Sequence, residues 1–323
     1  MISYYTLQDD RLQRRVPTQL DAIPQGTLWI DLLHPSAEEE HFIESALGLD
    51  IPTREEMAAI EDSSRLFEKD GALYLTTSVV SGVSERHPVM ADVSFVLTPK
   101  WLVTVRYAEL TSFRSFETKS ARQPELHRSS DMIFVSLNEG IVGRIADILE
   151  DAQAELNSLA QRIFSESDSR REKSDLQKIL KHLGRNNSLM AKLSGSLLSI
   201  SRQNTYVRQG ANGWLGEPAK GWLKSVERDV RSLSEFQAKM SGEITFLLDA
   251  TLGLINIEQN SIIKVFSIAA VLFLPPTLVG TVYGMNFKAM PELEWAFGYP
   301  MALGMMVGSA ALSYAWFKFK DWL

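Results

Sequence analysis

"VFSIAAVLFLPPTLVGTVY", residues 265–283, runs for 19 residues without a charged side chain and passes directly into "GMNF", residues 284–287. A bilayer core of about 30 Å takes roughly 20 apolar residues at a helical rise of 1.5 Å each. A second run, "WAFGYPMALGMMVGSAALSYAWF" at 295–317, has 23 residues and again no charge. Two such runs in succession, rimmed by Tyr283, Trp295 and Trp316, predict two transmembrane helices rather than two buried helices of a soluble core. The first span is assigned to 265–286, the connecting loop to 287–294 and the second span to 295–317.

The flanking cations set the orientation. Lys264 precedes the first span, and Lys318 and Lys320 follow the second. The loop between them carries Lys288 against Glu292 and Glu294. An excess of Lys and Arg on the cytoplasmic side places both termini in the cytoplasm, with 318–323 as a basic cytoplasmic tail. A chain with two spans cannot enclose a pore, so any transport requires several copies.

The rest of the 323-residue chain is of a different character, and the length allows about two domains. Net charge is −7, which argues against a nucleic-acid partner, because phosphate binding needs clustered Lys and Arg. There is no cysteine, so disulfides, thiol catalysis and cysteine-based zinc sites are excluded. The start, "MISYYTLQDDRLQRR", lacks the basic-then-apolar order of a signal peptide.

Residues 1–125 read as an α/β domain. "TLWIDLL" (27–33), "GALYLTTSVV" (71–80), "ADVSFVLT" (91–98) and "WLVTVRY" (101–107) are rich in β-branched and aromatic residues and predict strands. Asp70-Gly71 is the expected turn between "RLFEK" and "ALYL". Ser36 with Glu39, and Thr53 with Glu56, have the spacing of helix capping boxes. From about 130 the pattern is helical, giving a long helical hairpin over 126–217 that ends at "GANGWLGEP" (210–218). Pro218 then suits the first turn of a stalk helix over 218–264. Val226, Val230, Leu233, Met240, Ile244, Leu247 and Leu254 recur at 3-4 spacing, with Gln237 and Thr251 filling polar positions of the same seam.

"YGMNFKAMPELEW" (283–295), following "INIEQNSIIKVFSIAAVLFLPPTLVGTVYGMNF" (255–287) and preceding "FKFKDWL" (317–323), resembles the CorA magnesium channels. The match is nearly continuous from Leu247; upstream it reduces to element order and short matches such as "WIDL" (29–32) and "SRLF" (64–67). The resemblance implies a funnel-shaped homopentamer in the bacterial inner membrane, with the long helix lining the pore and the second span outside it. Mg²⁺ is then both cargo and regulator, and no organic cofactor is implied. By position, Asn286 is the selectivity residue, with Gly284 and Met285 completing the filter. Asn260, Thr277 and Asp249 correspond to polar rings, and Ile263, Phe266 and Leu274 to an apolar gate.

The chemistry fits. Mg²⁺ demands octahedral oxygen at about 2.0–2.1 Å and sheds its waters reluctantly. A ring of Asn286 amide oxygens accepts hydrogen bonds from those waters and requires no dehydration. Gly284 lets backbones approach and exposes carbonyls. Glu292 and Glu294 either concentrate cations at the mouth or form a solvated loop. Pro275-Pro276 leaves the carbonyls of Val271 and Leu272 without helical donors, either facing a wet pore or shaping a kink. Narrow apolar rings gate by dewetting. A divalent ion crossing 100 mV inward gains about 4.6 kcal/mol, so uptake needs no nucleotide, and no phosphate-binding loop is present.

One stretch departs from the family. Where relatives carry acids that bind regulatory Mg²⁺ between neighbouring domains, this chain reads "MAAIED" (57–62), with Ala58-Ala59 at that place. Glu61 and Asp62 follow, and Asp229 on the stalk is the expected partner. Inhibition by cytoplasmic Mg²⁺ is therefore expected to be weaker or differently sited. Co²⁺ and Ni²⁺ are possible further cargo. Two other readings stand: a Zn²⁺ transporter of the related ZntB-like branch, and a membrane-tethered helical scaffold without transport. Zinc favours N and S ligands, but there is no Cys, and His34, His41, His87, His127 and His182 all lie outside the spans.

Overall fold

A computed structural model describes residues 1–59, 61–124, 127–164, 173–211, 213–288 and 290–320, apart from the side chains of Asp62, Lys173 and Ser174. The chain divides into two compact units, Met1–Leu248 and Asp249–Leu323.

The first unit holds one seven-stranded sheet: β1 (Ile2–Gln8), β2 (Arg11–Arg15), β3 (Thr27–Leu33), β4 (Leu66–Lys69), β5 (Ala72–Ser81), β6 (Val89–Leu97) and β7 (Leu102–Arg106). Their order across the sheet is β2-β1-β3-β7-β6-β5-β4. Only β3 and β7 pair in parallel, Asp31 lying opposite Thr104; the other neighbours are antiparallel. Helices α1 (Ala37–Leu47), α2 (Arg54–Met57) and α3 (Asp62–Arg65) lie in sequence between those two central strands. Both expected capping boxes form, at Ser36 with Glu39 and at Thr53 with Glu56.

β3 is buried on both faces, which explains its unbroken apolar run. Ile30 and Leu32 join Ile2, Tyr4, Ile43, Met57 and Val105 in one core layer. On the opposite face Trp29 stacks on Tyr5, with centroids 3.9 Å apart, and meets Phe116 edge-on at 5.0 Å. Phe113 and Phe116 belong to α4 (Thr111–Arg122). Beyond it come the long helices α5 (Ser130–Phe164) and α6 (Lys173–Gly210).

A charged group sits within this aromatic layer. Arg106 donates to both oxygens of Asp31, at 3.1 and 2.7 Å, and to the carbonyl of Ala108 at 3.0 Å. Thr104 donates to the same carboxylate at 2.7 Å and accepts from the Trp29 indole at 2.9 Å. The network ties both strands of the parallel pair through their side chains. Burial, reinforced by the charges of Asp31 and Glu117, pushes the Tyr5 hydroxyl above the usual phenol range, so it remains a donor to Glu117 at 3.0 Å.

The N-terminal hairpin is a feature the sequence reading missed. β1 and β2 are joined at Asp9-Asp10, both with positive φ (47° and 61°). That is the backbone of a type I′ turn, here without the glycine that usually signals it. Asp70-Gly71 repeats the geometry between β4 and β5 (52° and 76°), as its sequence predicts.

Helix α7 (Glu217–Tyr283) is one element of 67 residues that continues through Pro275 and Pro276. Of its predicted seam, Val226, Val230, Gln237, Met240, Ile244, Leu247 and Thr251 are buried, while Leu233 and Leu254 are half-buried. Gln237 donates to the carbonyl of Met190 on α6 at 3.1 Å, which satisfies the polar residue within an apolar stripe. The Trp222 indole donates to Glu139 of α5 at 2.9 Å, and Glu139 also pairs with Lys119.

In the second unit a 3-10 turn (Pro291–Leu293) precedes α8 (Gly298–Phe319). The helix begins three residues after the expected start of the second apolar run, with Gly298 and Pro300 in its first turn. Among the described residues one helix, α7, is long and apolar enough to cross a membrane. Helix α8 carries Lys318 as its only charged residue, but Gly304, Gly308, Ser309 and Ser313 dilute its apolar content.

Replacing Asp31 with Ala leaves the Arg106 guanidinium buried without its partner, and such a loss typically costs about 3–5 kcal/mol. Denaturant titration of the full-length protein in detergent should show a markedly lower midpoint for Asp31→Ala. Asp31→Leu combined with Arg106→Met should recover most of it. An unchanged midpoint in the single variant would show that the pair contributes nothing.

Candidate metal-ion path

The predicted lining residues fall on one side of α7. Asp249, Asn260, Ile263, Leu274 and Thr277 are separated by 11, 3, 11 and 3 residues. At 3.6 residues per turn this confines them to an arc of about 100°, with Phe266 about 20° beyond its edge. All six are exposed; Phe266 is 73% and Leu274 64% accessible. The opposite side of α7 carries Leu272, Pro276, Val279 and Gly280, all half-buried. A Cβ added at Gly280 would lie 3.0 Å from the Met306 methyl of α8, so this is the side α8 covers. The matching stripe on α8 is Ala302, Met306, Ala310, Ser313 and Phe317 at 3-4 spacing.

Two polar residues on the exposed side were missed by the sequence reading. Ser267 lies seven residues from Asn260, and Thr281 four residues from Thr277. The Thr277 hydroxyl donates to the Phe273 carbonyl at 2.7 Å, and that of Thr281 to the Thr277 carbonyl at 2.7 Å. Their protons are thus committed to the helix backbone, and each oxygen is left as an acceptor. The water shell of a cation presents hydrogens outward, so these oxygens suit a hydrated cation. The spacing alone would have found both residues.

Helix α7 ends at Tyr283, and the Gly284 N–H closes the last turn on the Gly280 carbonyl at 3.0 Å. A Cβ at Gly284 would stand 3.1 Å from that carbonyl oxygen, tighter than ordinary contact. The glycine therefore has a reason within its own chain. Met285 and Asn286 follow, both exposed. The loop then folds back on itself. Leu293 donates to Met290 at 3.1 Å and Gly298 to Trp295 at 2.9 Å. A Cβ at Gly298 would collide with the Glu292 carbonyl at 2.1 Å. Glu292 and Glu294 are both exposed.

Among the described residues the expected regulatory acids do not form part of a three-residue group able to hold a metal ion. Glu61 is exposed ahead of α3, and the Asp62 side chain lies outside the described residues. Asp229 is exposed on α7 and borders a groove with Glu139, which is already engaged by Lys119 and Trp222. Beside the "MAAIED" stretch, Arg65 holds the Ala59 carbonyl at 3.1 Å and Asp92 at 2.7 Å. Among the described residues no three His, Asp or Glu side chains converge to hold a metal ion.

An α/β domain followed by a long helix with an apolar end and a second apolar helix is the architecture of a membrane-associated protein. The family model for the CorA-like Mg²⁺ transporter protein matches residues 24–318, and the chain belongs to that family. It is 33% identical to the magnesium transport protein CorA of Pasteurella multocida over 323 residues, all of both chains. Its identity to the protein of that name from Escherichia coli K12 is 32%, again over the full length of both. The fold is also similar to that of the complete CorA magnesium transporter from Methanocaldococcus jannaschii (TM-score 0.77, 15% identity), covering 100% of this chain and 99% of that one. The ZntB cytoplasmic domain from Vibrio parahaemolyticus matches less extensively (TM-score 0.53, 12% identity), covering 79% of this chain and 97% of that one.

Replacing Thr281 with Val keeps its shape and removes one acceptor from the exposed side of α7. Mg²⁺ flux through reconstituted protein should fall several-fold, about the worth of one ordinary hydrogen bond, with helix content unchanged. Flux equal to that of the unaltered protein would remove Thr281 from the path.

Proposed function

We propose that this protein is a channel for Mg²⁺, assembled as a homopentamer in the bacterial inner membrane. The observation that carries the reading is the coincidence on α7 of an exposed polar-and-apolar face with a Gly-Met-Asn ending. In this reading 265–286 and 295–317 span the bilayer, 287–294 is external, and the α/β domain, stalk and basic tail are cytoplasmic. The family relationship supports transport across a membrane, and the lysines flanking the two apolar runs support the sidedness. Copies of the chain arranged around the exposed face would enclose a path lined by Asn260, Ser267, Thr277 and Thr281. Ile263, Leu274 and Phe266 narrow it with apolar side chains, and Asp249 meets ions at the cytoplasmic entrance.

Selection rests on hydration. Five Asn286 amides accept from the waters of an intact Mg²⁺ shell, so the ion passes the mouth without losing its ligands. Co²⁺ and Ni²⁺, similar in size when hydrated, are accepted by the same ring. Membrane potential drives entry. Glu292 and Glu294, held on the folded-back loop, raise the cation concentration outside. The Zn²⁺ reading is less well supported, because the exposed side of α7 offers oxygen donors and neither His nor Cys.

Mg²⁺ entry into proteoliposomes separates these readings. Asn286→Ala should lower flux at least about tenfold, the worth of one charge-assisted hydrogen bond, while the oligomer persists. Absence of flux from the intact protein would favour the scaffold, and proton-dependent Zn²⁺ flux would favour the zinc transporter.

Feedback by cytoplasmic Mg²⁺ is assigned to Glu61, Asp62 and Asp229 contributed by separate chains, as the family resemblance implies. Flux at millimolar internal Mg²⁺ should be inhibited less than half as strongly once all three are neutralised. Full inhibition in the triple variant would relocate the sensor.

A further inference from the structure

In the first unit a cavity of about 230 Å³ lies between the hairpin loop that joins β5 to β6, the start of α4 and one side of α5. The loop is tightly closed. Gly82 has a φ of 70°, a Cβ there would stand 2.4 Å from the His87 carbonyl oxygen, and the His87 N–H donates to the Gly82 carbonyl at 3.0 Å. Val79, Ile145 and Ile148 supply an apolar wall. No lining residue belongs to the side of α7 assigned to the ion path.

Three sets of donors line this cavity without a hydrogen-bond acceptor. Helix α4 starts at Thr111 after Leu110, which offers no capping oxygen, and its first turn carries no acid. The N–H groups of Thr111 and Ser112 therefore find no acceptor among the described residues. The Ser112 side chain belongs to a residue only 7% exposed, and its hydroxyl has no hydrogen-bond partner among the described residues. Arg144 of α5 is 29% exposed at its side chain, and its one ion-pair partner among the described residues, Asp147, stands 3.8 Å away, beyond hydrogen-bond reach. Buried donors left in this way are costly unless something accepts from them. Two carboxylates also border the cavity: Glu109 is held by Arg114 at 2.6 Å, and Glu85 is exposed to water.

We infer that this cavity binds a small phosphate monoester. Such a group carries close to two negative charges at neutral pH and three strong acceptor oxygens. These match the three donor sets: the α4 N-terminus, the Ser112 hydroxyl and the Arg144 guanidinium. The ester's carbon group lies against Ile145 and Ile148. The volume falls below the range of about 300–1,000 Å³ that holds drug-sized ligands, so a short ester fits and a nucleotide does not. A chloride ion accepts from the same donors but leaves the apolar wall in water.

Isothermal titration calorimetry of the full-length protein in detergent tests this with propyl phosphate, inorganic phosphate and propan-1-ol. Magnesium-free buffer keeps a bound cation from carrying the phosphate. Propyl phosphate should bind once per chain, inorganic phosphate several-fold more weakly, and propan-1-ol not at all. Ser112→Ala removes one hydrogen bond to a charged acceptor and should weaken propyl phosphate binding about tenfold. Arg144→Gln removes a charge as well and should weaken it by at least as much; if that variant does not fold, Ser112→Ala decides alone. Failure of propyl phosphate to bind the unaltered protein, or unchanged binding in Ser112→Ala, overturns the site. Equal affinity for inorganic phosphate overturns the ester as its ligand. Binding is read without ion flux, so the outcome stands apart from the channel reading.

Discussion

The rest of the structure depends on where the apolar side chains of the second unit are to be buried. Phe266, Leu274, Val307, Leu312 and Phe319 are each at least 64% accessible in a single chain. Burying one such side chain is worth about 1.5–3 kcal/mol, so leaving them all in water is untenable. The exposed surface is not uniform. One side of α7 mixes Asn, Ser and Thr with Ile and Leu, whereas the outward side of α8 is apolar and aromatic. Lipid suits the latter. The former calls for a surface that tolerates both water and apolar neighbours, as the wall of an ion path made by several copies does.

The first unit solves the opposite problem, because its centre contains a charge. The Asp31–Arg106 pair sits among Trp29, Phe113 and Tyr5, and each of its oxygens and guanidinium nitrogens has a partner. Its position on the two central strands matters more than its net energy. A shift of one residue in the parallel pairing would turn Asp31 toward Ile30's apolar layer. The ion pair therefore specifies register, while the aromatic cluster supplies burial.

Periodicity revealed most of the architecture. Strand β3 coincides with the apolar stretch at 27–33, both capping boxes form, and the stalk seam is buried nearly throughout. The N-terminal hairpin was not visible because its turn uses Asp9-Asp10 rather than a glycine, and because both faces of β1 are covered. On α7 the residues from Asp249 to Thr277 came from the family resemblance, and helical spacing places them on one side, yet Ser267 and Thr281 were passed over. A hydroxyl inside an apolar run reads as filler until its helical spacing to the other polar residues is counted. The acids proposed as regulatory were the least legible, since a site shared between chains would leave no pattern within one.

The hydroxyl geometry of α7 has a consequence for charge sign. Thr277 and Thr281 direct their protons inward along the helix and turn oxygen outward. Water around an anion is reversed, with its oxygens outermost, and finds no donor in these two side chains. Two side chains of this kind favour a hydrated cation over a hydrated anion without carrying a formal charge. Such discrimination has no ionisable group to titrate and little long-range field for salt to screen. It would persist through changes of pH and ionic strength that disable a ring of carboxylates.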